Sequence, residues 1–516
     1  MDTPENVGVP RERRGVSPPV QARPGTSPIS EESARPVFGY GRCSGPSLHR
    51  RAYAAPLAMM CLLAPLALAE PTYRGDPQRT GGDGKPGPAA GKVLWVMKAK
   101  EHFIAAPVAH KDRLFVSGLS FINGSVFYAI DTTTDAKQRV DWSKKAPLLE
   151  LPTVSTPAVV GDMLIFGDGM HQTNGASVYG LDLATGTPRW QFKVEGTLVH
   201  LEGSPTVVDG KVYLGGGAAG VLCLDPSKLS LDGKEMPPSA IAKVIEAKRA
   251  DLLKKYEEAR AKKDKFAVPP TDQDLPRASP ALVWQQGKDK WHVDAPVAVV
   301  GDKVLVASAF LDKEQVGNRS LFCLDAKTGK EKWSSRLLVN PWGGPSVSGD
   351  TVVVTGSSIG YDPAALKGAR GTVAAFDIET GKQRWKKELA AGVVSCAALN
   401  KDSAVVTCTD GKVRAYNLAS GALRWTYTGG TAFFAPPAIS ADTAYVADLA
   451  GVVHSINLKS GGGRWKLDLA ADKLVESPGM VYGGPLLHAG RLYVVTCNLA
   501  GAHVNKATAV ICIGDK

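Results

Sequence analysis

Leu324–Trp333 reads Leu-Asp-Ala-Lys-Thr-Gly-Lys-Glu-Lys-Trp, and the same ten-residue pattern returns at Leu181–Trp190, Phe376–Trp385, Tyr416–Trp425 and Ile456–Trp465. Each copy sets an apolar residue before Asp or Asn, then two variable residues, Thr or Ser, Gly, three more residues and Trp. That order describes a β-hairpin. The Asp or Asn side chain accepts from the backbone just ahead of it and starts the turn, and Gly supplies the positive φ. The returning strand then carries Trp into the packing between sheets. A second hairpin precedes each copy, with Pro at its start, as at Pro157–Phe166, Pro205–Leu214 and Pro345–Val354. Pro107, Pro296, Pro437 and Pro485 mark further units, while Cys396-Ala397 stands where Pro is expected.

Two hairpins make four antiparallel strands per ~40–50 residues, the period of a propeller blade. The tryptophans give an independent count. Trp142, Trp190, Trp284, Trp333, Trp385, Trp425 and Trp465 each close a unit. The last unit, Pro485 to Lys516, lacks a closing strand, and the strand Lys92–Met97 with Trp95 stands alone at the start. Joining the two closes the ring and removes both sheet edges. The sequence therefore predicts an all-β fold, an eight-bladed β-propeller of four-stranded antiparallel blades over 92–516, with the N-terminal strand closing the last blade. A helical insertion is expected in blade three, at 226–281. Within it Ile241, Val244, Ile245, Leu252, Tyr256 and Ala259 fall on one stripe of a helix at about 239–265, ended by Pro269-Pro270. Packing on the outside of the blade and docking of a partner both suit such a helix.

Residues 70–91 read as a linker and 1–69 as a disordered leader plus secretory signal. Met1–Ser47 is rich in Pro, Arg, Gly and Ser. His49-Arg50-Arg51, the apolar run Ala52–Leu68 and Ala67-Leu68-Ala69 follow the charged, apolar and cleavage regions of an export signal, with cleavage expected after Ala69. The paired arginines also suit twin-arginine export, and Met60 argues against Cys61 as a lipid anchor. The expected location is periplasmic or secreted. Of the net charge of +11, residues 1–69 carry +3; the remaining 53 basic and 45 acidic residues leave +8, spread along the chain. So mild a charge suits anionic envelope surfaces and peripheral membrane contact. It shows no basic stripe for nucleic acid.

The repeats resemble the pyrroloquinoline-quinone (PQQ) repeat family over about Lys92 to Lys516. That family includes the eight-bladed quinoprotein dehydrogenases and the BamB-like propeller lipoproteins of the β-barrel assembly machinery. The stretch Tyr73–Gly81 looks like the short segment that often precedes such domains, and its Arg-Gly-Asp reads as chance. In the dehydrogenases the resemblance implies a quinone site at one end of the central channel, with Ca²⁺ held by Glu, Asn and Asp, a Trp floor and a disulfide between adjacent cysteines. No two cysteines are adjacent here, and no C-x-x-C or C-x-x-C-H occurs, so neither zinc nor c-type haem is indicated. Polar and aromatic residues just ahead of the inner strands are the candidates for a channel site: His200, Glu202, Trp291, His292, Asp294, Asn340 and Trp342, then Phe433 and Phe434. Trp291 and Trp342 are the two tryptophans that close no blade.

Other motifs read as structure. Gly215–Gly220 matches G-x-G-x-x-G but leads into a strand, not the helix that a dinucleotide site requires. Gly356–Gly360 matches G-x-S-x-G without a helix after it, so Ser358 is no nucleophile. Cys223, Cys323 and Cys512 share a repeat position that other blades fill with Gly180, Ala375, Ala415 and Ser455, which calls for a small residue. Cys396 and Cys408 lie on consecutive strands, and a disulfide between them is one expectation. The leading functional reading is a non-catalytic, monomeric envelope scaffold without a cofactor, similar to the BamB-like branch, that binds a protein or glycan. The alternative is a PQQ- and Ca²⁺-dependent dehydrogenase of alcohols or sugars.

Overall fold

A computed structural model describes residues 72–515, apart from 83, 121–123, 147, 150, 172, 501–502 and 505. The expected leader and signal lie outside these residues. The chain forms eight antiparallel sheets in a ring, and the strand Lys92–Ala99 is the outermost strand of the last one. It pairs from Lys92↔Gly514 to Ala99↔Thr508, so the ring is closed by its two ends. Helix α1 (Pro238–Ala261) is the single α-helix among the described residues, and no helix there is long and apolar enough to cross a membrane.

The repeat signature acts as the sequence suggests. In the hairpin Val316–Arg336 of blade four, Asp325 Oδ1 accepts from the Lys327 and Thr328 amides and the Thr328 hydroxyl, and Gly329 takes φ +69°. Each closing tryptophan then sits opposite the small residue of the strand before it. Trp190 pairs with Gly180, Trp284 with Cys223, Trp333 with Cys323, Trp385 with Ala375 and Trp95 with Cys512. A Cβ on Gly180 would lie 2.1 Å from the Trp190 ring, which explains the demand for small side chains. The indole N–H donates to the next blade just past its Asp or Asn: Trp385 to Leu418 O at 2.8 Å and Trp425 to Leu458 O at 2.9 Å. The blades are thereby joined by buried apolar walls and, at every closing tryptophan except Trp190 and Trp465, by one directed bond.

Blade three departs from the four-strand rule. Its third strand does not stop at Asp225 but runs Val221–Leu231, through an irregularity, and pairs with both Lys234–Met236 and Ser279–Gln286, giving five strands. Helix α1 lies on this sheet through Ile241 and Ile245, with Leu252 partly covered, while Val244 and Leu253 stay exposed. Cys396 and Cys408 are buried free thiols, so the expected disulfide is not formed.

The stretch read as a linker fills the centre of the ring. Carbonyls of Pro77, Gln78, Thr80 and Gly81 accept in turn from Val299, Val347, Leu399 and Ile439, on the inner strands of blades four to seven. Inner strands carry unpaired edge groups, and this segment satisfies them. Arg79 is buried and donates to Val297 O at 3.2 Å, Ser204 O at 3.0 Å, Tyr73 O at 2.5 Å and the Thr206 hydroxyl. Burial pulls its pKa down to about 10, which leaves it charged at neutral pH. Arg74 is likewise buried, against Pro437 O and Ala397 O, so the arginine of the Arg-Gly-Asp is turned into the propeller.

Candidate functional site at the channel mouth

Loops that follow the second and fourth strand of each blade share one face of the ring, by the antiparallel order of the strands. On that face a cavity of about 630 Å³ opens above the filled channel. Tyr73 of the central segment, Trp342, Tyr361 and Tyr482 form aromatic parts of its wall, and His171, Glu202 and Asp294 line one side.

That side is built from three segments. His200 and Glu202 precede the inner strand of blade three, Thr206–Val208; His292 and Asp294 precede that of blade four, Ala298–Val300. His171 lies on the loop between Met163–Gly167 and Ala176–Asp182 of blade two. Glycines make the room. A Cβ on Gly217 (φ +58°) would meet the His200 ring at 2.9 Å, and one on Gly317 (φ +90°) would meet His292 Cβ at 2.9 Å. Gly217 belongs to the G-x-G-x-x-G stretch, which turns between strands Lys211–Gly215 and Val221–Leu231 and exchanges two backbone hydrogen bonds with Val293.

His200 and His292 are fully buried, with ring centroids 5.2 Å apart, and His171 stands 5.6 and 5.9 Å from them. Asp294 Oδ1 lies 2.9 Å from His292 Nε2 and 3.5 Å from His200 Nε2, while Glu202 Oε1 lies 3.3 Å from His200 Nδ1. The alignment is poor despite these distances: none of the four ring nitrogens, nor Asp294 Oδ1, has a partner in hydrogen-bonding geometry. The contacts are electrostatic. Burial would lower the His200 pKa, yet Glu202 and Asp294 outweigh it and raise it. Burial would raise the Asp294 pKa, yet His292 first, then His200 and His171, hold it low. Glu202 also accepts from the His171 amide, which ties the blade-two loop to blade three.

The sequence candidates therefore divide. His200, Glu202, His292 and Asp294 converge, and Trp342 lines the same cavity. Trp291 does not reach it: the ring stacks on Phe322 at 4.0 Å in the blade core. Asn340 is spent on structure, bonding Phe310 N at 2.9 Å, Phe310 O at 3.0 Å and Arg319 Nε at 3.1 Å. Phe433 and Phe434 are buried, Phe433 against His454 and Phe434 between Tyr361 and Tyr482. His171 was not among the candidates, because it precedes no inner strand.

This set does not fit the quinone and its calcium. The quinone is a tricarboxylate, and among the described residues no Lys or Arg lines the cavity, whereas Glu202, Asp294 and Asp362 do. The Asn that a calcium ion would want is committed to Phe310 and Arg319, and imidazoles are poor calcium ligands.

Comparison with known proteins adds the family. The sequence profile described as outer membrane protein assembly factor BamB matches residues 87–238, 273–433 and 409–511. Among solved structures, BamB from Moraxella catarrhalis superposes with a TM-score of 0.52 at 16% identity, over 82% of this chain and 97% of that one. The quinohemoprotein alcohol dehydrogenase of Comamonas testosteroni gives 0.56 at 14% identity, over 87% and 82%. At these identities the likeness is one of fold. The quinohemoprotein alcohol dehydrogenase ADH IIB of Pseudomonas putida is 37% identical over 109 residues, which is 19% of this chain and 16% of that curated relative. With the profile running across nearly the whole ring, the chain belongs to the family described as outer membrane protein assembly factor BamB.

Proposed function

We propose that the protein is a non-catalytic scaffold of the cell envelope or its exterior, whose channel-mouth face holds a protein partner, with outer-membrane protein assembly as the specific setting. One observation carries this reading. Large apolar side chains stand exposed on loops of the mouth face: Leu338, Tyr361, Leu474, Leu499 and Val504 are each more than 40% exposed. Tyr361 and Leu499 line the concave, aromatic-walled cavity itself, and exposed apolar side chains on the face of such a cavity mark a protein-binding surface. A glycan partner would be expected to find more polar groups there. The family match and the poor fit of the cavity to a quinone support the same reading.

The test is site-specific photo-cross-linking in intact cells. A photoreactive residue at Leu499 or Leu338 should give adducts with components of outer-membrane assembly, identified by mass spectrometry, while one at Ser420 on the opposite face should not. The full chain is also titrated with PQQ and Ca²⁺. Saturable thermal stabilisation, lost in Glu202→Gln, would overturn the scaffold in favour of a dehydrogenase. Adducts at Ser420 equal to those at Leu499 would refute the mouth as the docking face.

A further inference from the structure

The scaffold reading makes no use of the histidine cluster. We propose that His171, His200, His292 and Asp294 bind one divalent first-row transition-metal ion, of the zinc class, as a clamp between blades two, three and four. Their ligand atoms all lie within 4.8 Å of one another. A tetrahedral ion with bonds of about 2.0–2.2 Å spaces its donors about 3.3 Å apart; the Asp294 Oδ1 separations of 2.9 and 3.5 Å from His292 Nε2 and His200 Nε2 bracket that value. Convergence without hydrogen-bond alignment is what a shared ion explains and mutual pairing does not. Two fully buried imidazoles and a buried carboxylate oxygen lack directed partners, a condition that native interiors rarely tolerate.

The donor set selects the metal. Three imidazoles and one carboxylate suit zinc, copper, iron or nickel, not calcium or magnesium, which take oxygen ligands. The surroundings also match a metal site. Glu202 faces His200 Nδ1 at 3.3 Å, the outer carboxylate that orients a metal-bound histidine and strengthens it as a ligand. Gly217 and Gly317 keep the space that the two buried rings occupy. Four protein donors complete a tetrahedron, the arrangement of a structural ion. The ion would fix the exposed His171 loop on the cavity wall and so set the shape of the mouth.

The experiment uses the full chain stripped with a chelator and dialysed. Zn²⁺ is titrated by calorimetry and Co²⁺ by visible absorption. The expected result is one ion per chain, with the intense visible bands of four-coordinate cobalt. His292→Ala and His171→Ala should each weaken binding at least ~100-fold and Glu202→Gln about tenfold, the range for an outer carboxylate. His488→Ala, far from the cluster, should bind as the unaltered chain does. His171 is exposed, so its variant folds even where His292→Ala does not. The proposal is overturned if neither ion binds saturably, if cobalt keeps the pale spectrum of its aqua ion, or if His171→Ala and His292→Ala both bind as tightly as the unaltered chain.

Discussion

Among the described residues two histidine–aspartate groups have buried imidazoles, one in blade seven and one at the mouth of blades two to four, and they are built to opposite rules. In blade seven His454 donates from Nε2 to Asp448 Oδ2 at 3.3 Å and accepts at Nδ1 from the Tyr427 hydroxyl at 3.1 Å. Asp448 takes the Ala450 and Val452 amides at 3.0 and 2.9 Å as well. The polar side chains of this group are each paired, so the group is structural: it holds a turn and packs against Phe433. At the mouth His200 and His292 are as deeply buried as His454, beside an Asp294 that is 11% exposed, yet their nitrogens have no aligned partner. Burial of a histidine beside an aspartate therefore says little by itself. What separates a structural pair from a site is whether the hydrogen bonds are already made.

Breaking each group in turn sharpens this contrast. The largest effect belongs to Asp448→Ala, which strands His454 and two amides in the interior; about 3–5 kcal/mol of stability should be lost in denaturant unfolding, and a loss under 1 kcal/mol would mean that the blade-seven group is no anchor. Gly217→Ala should cost about 1–3 kcal/mol, since it strains a positive-φ residue and drives a methyl into the Leu198 carbonyl and the His200 ring. It should abolish Co²⁺ binding as well, whereas Asp448→Ala should leave that binding intact in whatever fraction stays folded.

Acid separates the groups further. Burial would raise the Asp448 pKa, but the bonds from His454, Val452 and Ala450 hold it below the ordinary value. A carboxylate with a depressed folded pKa contributes fully above its unfolded value of about 3.9 and loses that contribution as pH falls through the folded one. The gap in melting temperature between the unaltered chain and Asp448→Asn should stay constant down to about pH 5 and narrow below about pH 4; a gap that closes between pH 7 and 6 would point to the histidine instead. The smallest effect is His171→Ala in metal-stripped protein, within about 0.5 kcal/mol of the unaltered chain, rising to a clear difference in melting temperature only when Zn²⁺ is present.

Much of this was legible in the sequence, for a physical reason. The hairpin turn, the small residue and the tryptophan each act within ten residues of one another, so the repeat shows its own packing code. Four of the mouth residues were legible too, because the polar positions ahead of inner strands recur in register with the blades. His171 was not, since it lies on a loop after a second strand, where the repeat imposes nothing; the Asp168–Gly175 stretch, longer than the turns of blades three, four, six and seven at that place, was the available signal. Trp291 and Asn340 looked alike with Trp342 because sequence places a residue near the mouth but does not say whether its side chain turns outward or into the blade. The central segment was hidden for another reason: its partners are carbonyls and amides of the inner strands, which leave no trace in side-chain pattern.

That segment has a consequence for how the particle holds together. Residues 72–82 lie inside the ring, bonded to the inner strands of blades three to seven, and the chain leaves them through the exposed Ala89–Ala90 before entering the ring at Lys92. A protease that cut at Ala89–Ala90 would sever the covalent path without removing a single one of those bonds. The short piece would stay lodged in the long one, a peptide captive in a closed hoop. Its escape rate would then report how often the hoop springs open where its first strand meets its last.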